Sequence, residues 1–290
     1  MQFNLHSLLA VSLCLIPPTL VFFRILRKRR EQRQSGQHPF KELRRRPAGE
    51  ALRMKLSDLY DQGVTGIFGL VFFPMTLGLQ LLYIHPNDVI TPILFFAATV
   101  ATSVIFGIWM FKIEKLISAY RLGFDGERFV GEELSQLIAL GFQVYHDVPF
   151  DGFNLDHVLV GSRGVLVVET KARRKPAKHN GGKEFRVGFD GKSLQWPWGS
   201  DSRAVEQTKN NARTLANWLS AATGEKVWAT AILTVPGWMV DRKAPSHDIY
   251  VLNPKEIYGV CSSFAEKLTD KQIACLCHQL DQKCRIVVED

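Results

Sequence analysis

Two stretches, Val64–Ile84 and Val89–Phe111, contain no charged residue over 21 and 23 positions. As helices, each is long enough to cross about 30 Å of hydrocarbon. The intervening His85-Pro86-Asn87-Asp88 leaves room only for a turn, so the pair reads as a transmembrane helical hairpin, in which Pro74 and Pro92 are tolerable. A third apolar stretch, Leu5–Leu26, is interrupted by Pro17-Pro18 and followed by Arg27-Lys28-Arg29-Arg30. A cleaved signal peptide carries its basic residues before the apolar run, and here they follow it, which favours a retained membrane helix.

Charge orients these helices. From Arg24 to Lys55 there are twelve Lys and Arg against three acids, a surplus of nine within a chain whose net charge is +8. Basic segments stay on the cytoplasmic side. This places Arg24–Lys55 inside, the N-terminus and the His85–Asp88 turn outside, and everything after Phe111 in the cytoplasm. The expected product is a three-helix, multi-pass protein of a bacterial inner membrane. From Lys112 onward 24 basic residues meet 22 acids, so the C-terminal part as a whole is not a strongly basic nucleic-acid binder. Five cysteines, an odd number at irregular spacing, suggest no disulfide framework. Cys275, Cys277, His278 and Cys284 lack the paired knuckles of a structural zinc site.

The segment Asn154–Lys175, NLDHVLVGSRGVLVVETKARRK, holds two apolar runs around Gly161-Ser162-Arg163-Gly164. If this tetrapeptide closes a tight hairpin, Val160 faces Val165 and Asp156 stands opposite Glu169. Side-chain alternation then gathers Asp156, Val158, Val160, Val165, Val167, Glu169 and Lys171 on one face. Cross-strand Cβ atoms lie about 4.5–5.5 Å apart, where two carboxylates repel unless something neutral or positive intervenes. Mg²⁺ or Mn²⁺ suits such a pair, since these cations bind through one or two carboxylates, waters and phosphate oxygens. Lys171 could orient an attacking water or offset charge growing on a phosphorane-like transition state. The plainer alternative is that the acids cap the solvated end of a hairpin and Lys171 pairs with Glu169.

Other candidates flank this hairpin. Gly123-Phe124-Asp125-Gly126-Glu127 opens a helical pattern with Val130, Leu134, Leu137 and Ile138 as its apolar stripe; Glu127 falls in that stripe and Glu132 opposite it. Glu127 therefore needs a partner, either the helix N-terminus or a metal and its waters. From Arg163 to Lys192 there are nine basic residues and three acids, and Arg173, Arg174, Lys175, Lys178 and Lys183 are candidate contacts to a phosphate backbone. A solvated loop is the alternative. Gln195-Trp196-Pro197-Trp198 could stack on bases or simply pack in a core. A helix over about Arg203–Ala222 buries Ala204, Thr208, Leu215 and Leu219, with Gln207 and Asn211 on the flank of its stripe. Strands are expected over Val227–Val235 and Asp248–Leu252, and helices near Pro254–Lys267 and Asp270–Gln282.

In this order, Gly123-x-x-Gly126-Glu127, Asn154-x-Asp156-His157, Glu169-Thr170-Lys171 and Glu206-Gln207 resemble the nuclease-related domain (NERD) branch of the PD-(D/E)xK restriction-endonuclease-like superfamily, over roughly Arg121–Val235. One departure is Leu155, where the superfamily's name motif has proline before the aspartate. The resemblance implies an α/β fold with an αβββαβ core and a mixed central sheet. It further implies that Glu127, Asp156 and Glu169 gather Mg²⁺ (or Mn²⁺), that Lys171 assists the nucleophilic water, and that Gln207 supports the site. The expected organisation is a first membrane helix (1–26), a basic cytoplasmic segment (27–63), the transmembrane hairpin (64–111), a juxtamembrane linker (112–120), the nuclease-like domain (121–240) and a C-terminal extension (241–290). The expected function is a membrane-anchored, Mg-dependent nuclease whose partners are nucleic acid, DNA before RNA, and the lipid bilayer. The alternative is a non-catalytic module that binds nucleic acid or protein.

Overall fold

The computed structural model describes residues 20–25, 27–28, 45–80, 89–176, 185–244 and 246–285. The described residues divide into two compact units, one holding 55–119 with the short N-terminal pieces, the other 45–54 and 120–285. Most of the expected first membrane helix, most of the basic segment and the His85–Asp88 turn lie outside the described residues.

Two long helices supply the first unit, α1 (Glu50–Gln80) and α2 (Ile90–Ser135). Glycines let them approach each other: a Cβ at Gly69 would lie 2.5 Å from the Phe106 ring, and one at Gly66 would collide with Trp109. Large apolar side chains otherwise face outward, among them Ile67, Val71 and Phe73 on α1 and Leu94, Phe96, Ile105 and Phe111 on α2. Among the described residues one helical run, Ile90–Leu140, is long and apolar enough to cross a membrane. Of the three such helices expected, the described residues contain this one. The description of α1 ends at Gln80, within the expected 64–84 span.

The expected linker, residues 112–120, is helical and continues α2 without a break, because KIEKLISAYRL (112–122) has no glycine or proline to stop a helix. The helix also absorbs Gly123 and Gly126, so the Gly-x-x-Gly motif does not open it.

The second unit is built on a mixed five-stranded sheet. β1 (Gln143–Phe150), β2 (Phe153–Gly161) and β3 (Gly164–Thr170) form an antiparallel meander. Helix α3 (Arg203–Thr223) then returns the chain to β7 (Ala229–Thr234), parallel to β3, and β9 (Ile249–Leu252) is parallel to β7. The sheet order is β1-β2-β3-β7-β9. With the last turns of α2 in front, this unit is mixed α/β around a mixed sheet. Between β3 and α3 lie three short strands, β4 (Arg186–Phe189), β5 (Leu194–Trp196) and β6 (Gly199–Asp201). With β8 (Met239–Arg242) they make a second sheet, in order β6-β5-β4-β8.

Alternation along the strands divides the core. Val158, Val160, Val165, Val167 and Leu233 point to one face and pack with Ala204, Ala212, Leu215 and Leu219 of α3, with Val187, Phe189 and Leu194 of the second sheet, and with Leu276 and Leu280 of α5 (Asp270–Lys283). Leu159, Leu166, Val168 and Ile232 point to the other face, where Val130, Leu134 and Leu137 of α2 meet Ile257 and Cys261 of α4 (Ile257–Ser262). Ile138, expected in the apolar stripe, is 61% exposed, because the chain tightens to a 3₁₀ turn from Gln136 and rotates it outward. The helix expected over Pro254–Lys267 shortens to a 3₁₀ turn plus α4, started by a capping box on Asn253.

Candidate functional site

The turn Ser162-Arg163 holds β2 and β3 in the register that pairs Val160 with Val165 and His157 with Val168. One step further outward, this register sets Asp156 against Glu169. Both acids point to the face covered by α3. Glu169 is 5% exposed and its two oxygens are each held by an amide: Gln207 Nε2 donates to Oε1 and Asn211 Nδ2 to Oε2, both at 2.9 Å. Gln207 and Asn211 stand one turn apart on α3, so the helix presents both donors to one carboxylate. Asp156 Oδ2 accepts from the Thr170 backbone N–H at 2.7 Å.

Burial raises both carboxyls. Desolvation is the largest cause for Asp156, followed by the charges of Glu169 and Glu127, and together they hold it well above the usual carboxylate range against the bond from Thr170. Glu169 is also raised by burial, opposed by Lys171 and by the hydrogen bond from Asn211. Lys171 is thus near enough to act on Glu169, as its place one strand period beyond it implies. Glu127 is half-buried and reaches the pair as a like charge. The helix carrying it comes close because position 126 is glycine: a Cβ there would lie 2.7 Å from Ala172 Cβ.

These acids do not close into a ready cage. Among the described residues no group of three or more His, Cys, Asp or Glu side chains is arranged to hold a metal ion. Glu127, Asp156 and Glu169 share a neighbourhood and mutual repulsion, but Glu169 is turned into its two amides and Asp156 into Thr170. Even so, the chemistry of the donor set fits a hard divalent cation. Two facing carboxyls, each raised by desolvation, are what such an ion neutralises.

The basic candidates part company. Arg173 is paired with Asp201 Oδ2 at 3.7 Å, so its charge is partly neutralised within the fold. Arg174 and Lys175 are exposed. Lys178 and Lys183 lie outside the described residues. Trp196 is buried against Trp238, whereas Trp198 is half exposed.

Sequence reasoning missed two features behind the acids. Asp147, directly across from Asp156 in the β1–β2 register, is held at φ 52° and accepts from Asn154 Nδ2 at 2.8 Å and from the Ala51 backbone N–H. Its charge also raises Asp156. His146 pairs with His157 through their Nδ1 atoms at 2.8 Å, and His157 Nε2 meets Thr170 Oγ1 at 3.3 Å. Burial holds His157 well below its ordinary value, with His146 adding to the effect. The Asn154-x-Asp156-His157 motif names the β2 half of this network; only strand pairing finds its β1 half.

Residues 122–236 match the nuclease-related domain (NERD) family. The matched span runs from α2 past the end of β7 and contains Glu127, Asp156, Glu169, Lys171, Gln207 and Asn211. No curated protein and no solved structure matches the chain. The nuclease-related domain suggests a nuclease-related function. Asn211 is the one functional candidate that the motif omits and the geometry adds, as Glu169's second amide partner.

Proposed function

We propose that the chain is a membrane-anchored, metal-dependent phosphodiester hydrolase acting on nucleic acid, DNA before RNA. The observation that carries this reading is the half-buried Asp156 facing the buried Glu169 across the β2–β3 register, with Lys171 one strand period beyond.

In this reading Asp156 and Glu169 would hold Mg²⁺ or Mn²⁺, with Glu127 as a further candidate ligand. The cation, when bound, polarises the scissile phosphate and lowers the pKa of a water. Gln207 and Asn211 fix the Glu169 carboxylate so that its orientation is set before substrate arrives. Lys171 offsets negative charge that grows on the phosphoryl oxygens. Arg174 and Lys175 supply sequence-independent contacts to the phosphate backbone. The outward-facing apolar surfaces of α1 and α2 and the Arg24–Lys55 charge block support a multi-pass anchor with the nuclease-related domain in the cytoplasm.

A second reading is a tethered, non-catalytic module that binds nucleic acid or protein. It is favoured by the double amide grip on Glu169, which a purely structural carboxylate would also need. Divalent-dependent cleavage of single-stranded, duplex and branched DNA and of RNA by the purified chain separates the two. Cleavage by wild type that is lost in Asp156→Asn supports the hydrolase; binding without cleavage by either protein supports the module.

A further inference from the structure

Trp198 stands at the tip of the β5–β6 hairpin, where Trp196 pairs with Gly199 and Pro197-Trp198 form the two-residue turn. Turn tips favour Gly, Asn, Asp, Ser and Pro, yet here an indole is held 52% exposed. Its ring lies parallel to that of Trp196, 5.3 Å between centroids at 8°, and Trp238 closes edge-on against both, at 4.9 and 5.5 Å. Trp196 is buried and its Nε1–H has no acceptor among the described residues.

The cluster is fastened to the strand end that carries the acids. Trp238 Nε1 donates to the Arg173 carbonyl at 3.0 Å, two residues beyond Lys171. Asp201, at the end of β6, pairs with the Arg173 guanidinium. Arg174 and Lys175 are exposed next along the chain. An exposed aromatic face backed by two tryptophans is thus tied through Trp238 to the Arg173 backbone, two residues beyond Lys171, with Arg174 and Lys175 next in the chain.

We infer that Trp198 is a stacking platform for an unpaired nucleobase, so that the site takes single-stranded nucleic acid in preference to duplex. The inference rests on the hydrolase reading for the direction of the strand, which passes Arg174 and Lys175 toward Asp156 and Glu169. Every base has a π-face, so such a platform binds without reading sequence. A duplex keeps its bases stacked inside and offers the same surface only phosphates.

The test uses the full chain in detergent, with EDTA to suppress hydrolysis, and fluorescence anisotropy of a labelled oligothymidylate and a blunt duplex of equal length. Trp198→Ala should weaken oligothymidylate binding roughly 5- to 100-fold and leave duplex binding unchanged, while Trp198→Phe retains most of the single-strand affinity. In wild type, an oligonucleotide bearing 5-iododeoxyuridine should photocrosslink to Trp198, which keeps the test intact if the alanine variant does not fold. Equal oligothymidylate affinity in wild type and Trp198→Ala, or crosslinks that avoid Trp198, overturns the platform alone. A wild-type protein that binds neither probe overturns the hydrolase reading as well.

Discussion

Asn211→Ala removes the donor on Glu169 Oε2, a 2.9 Å hydrogen bond at a position 6% exposed. A hydrogen bond to a charged group contributes about 1.5–3 kcal/mol, and water cannot easily replace a lost partner at a buried oxygen. The expected loss is therefore about 2–3 kcal/mol. At roughly 2–4 °C per kcal/mol for a domain of this size, the melting temperature should fall by about 5–10 °C. The same substitution also removes one of the two influences that lower the Glu169 carboxyl, the other being Lys171. In a Glu169→Gln background only one of the two gripped positions is an oxygen, and that acceptor is neutral with a bond about half as strong, so Asn211→Ala should cost at most about 1 kcal/mol there. Thermal denaturation of the four proteins of this cycle, followed by tryptophan fluorescence, gives a coupling energy of about 1–2 kcal/mol if α3 grips Glu169 as a carboxylate. Coupling within about 0.5 kcal/mol of zero, the range of independent sites, would refute the grip.

Three further outcomes follow from the same geometry. Burial and the neighbouring acids raise Asp156 above its unfolded value, so the metal-free native state holds a proton that the unfolded chain releases, and stability is lost as pH rises from the ordinary carboxylate range through the folded value; thermal melts of Asp156→Asn should show a flatter pH dependence and a higher melting temperature at alkaline pH, and parallel curves would contradict the shift. Gly126→Ala places a Cβ 2.7 Å from Ala172 Cβ, so it should destabilise by about 1–3 kcal/mol even though alanine is the better helix former, with cleavage reduced through Glu127; an unchanged melt would mean the contact gives way freely. Reversal of Arg174 and Lys175 to Glu should reduce the log–log salt slope of DNA binding by about 0.7–0.9 per lost phosphate contact, and an unchanged slope would return them to the solvated surface.

The hairpin was legible because the Ser162-Arg163 turn and the period-2 pattern leave one register that buries the valines; Asp156 and Glu169 follow from counting. Helix α3 was legible from its apolar stripe, and Gln207 from its place on the flank. The second sheet was not, since β5 and β6 are three residues each, too short for alternation to register. Continuity of α2 through residues 112–126 was missed because Gly123 and Gly126 read locally as a break, and only the tertiary contact with Ala172 shows why a helix keeps a glycine there. Asp147 and His146 carry no motif of their own; pairing across β1 and β2 brings them behind Asp156.

The central claim, that Asp156 and Glu169 are held together to share a divalent cation, is tested most directly by Mn²⁺-induced stabilisation measured beside cleavage. Ligand at a hundredfold excess over its dissociation constant stabilises by about 2.7 kcal/mol. Wild type should show a melting shift on this scale, and Asp156→Asn and Glu169→Gln should lose both the shift and the cleavage. Lys171→Ala should keep the shift and lose cleavage by about a hundredfold or more, the scale of one electrostatic group. Full Mn²⁺ stabilisation together with wild-type cleavage in both carboxylate variants would contradict the account.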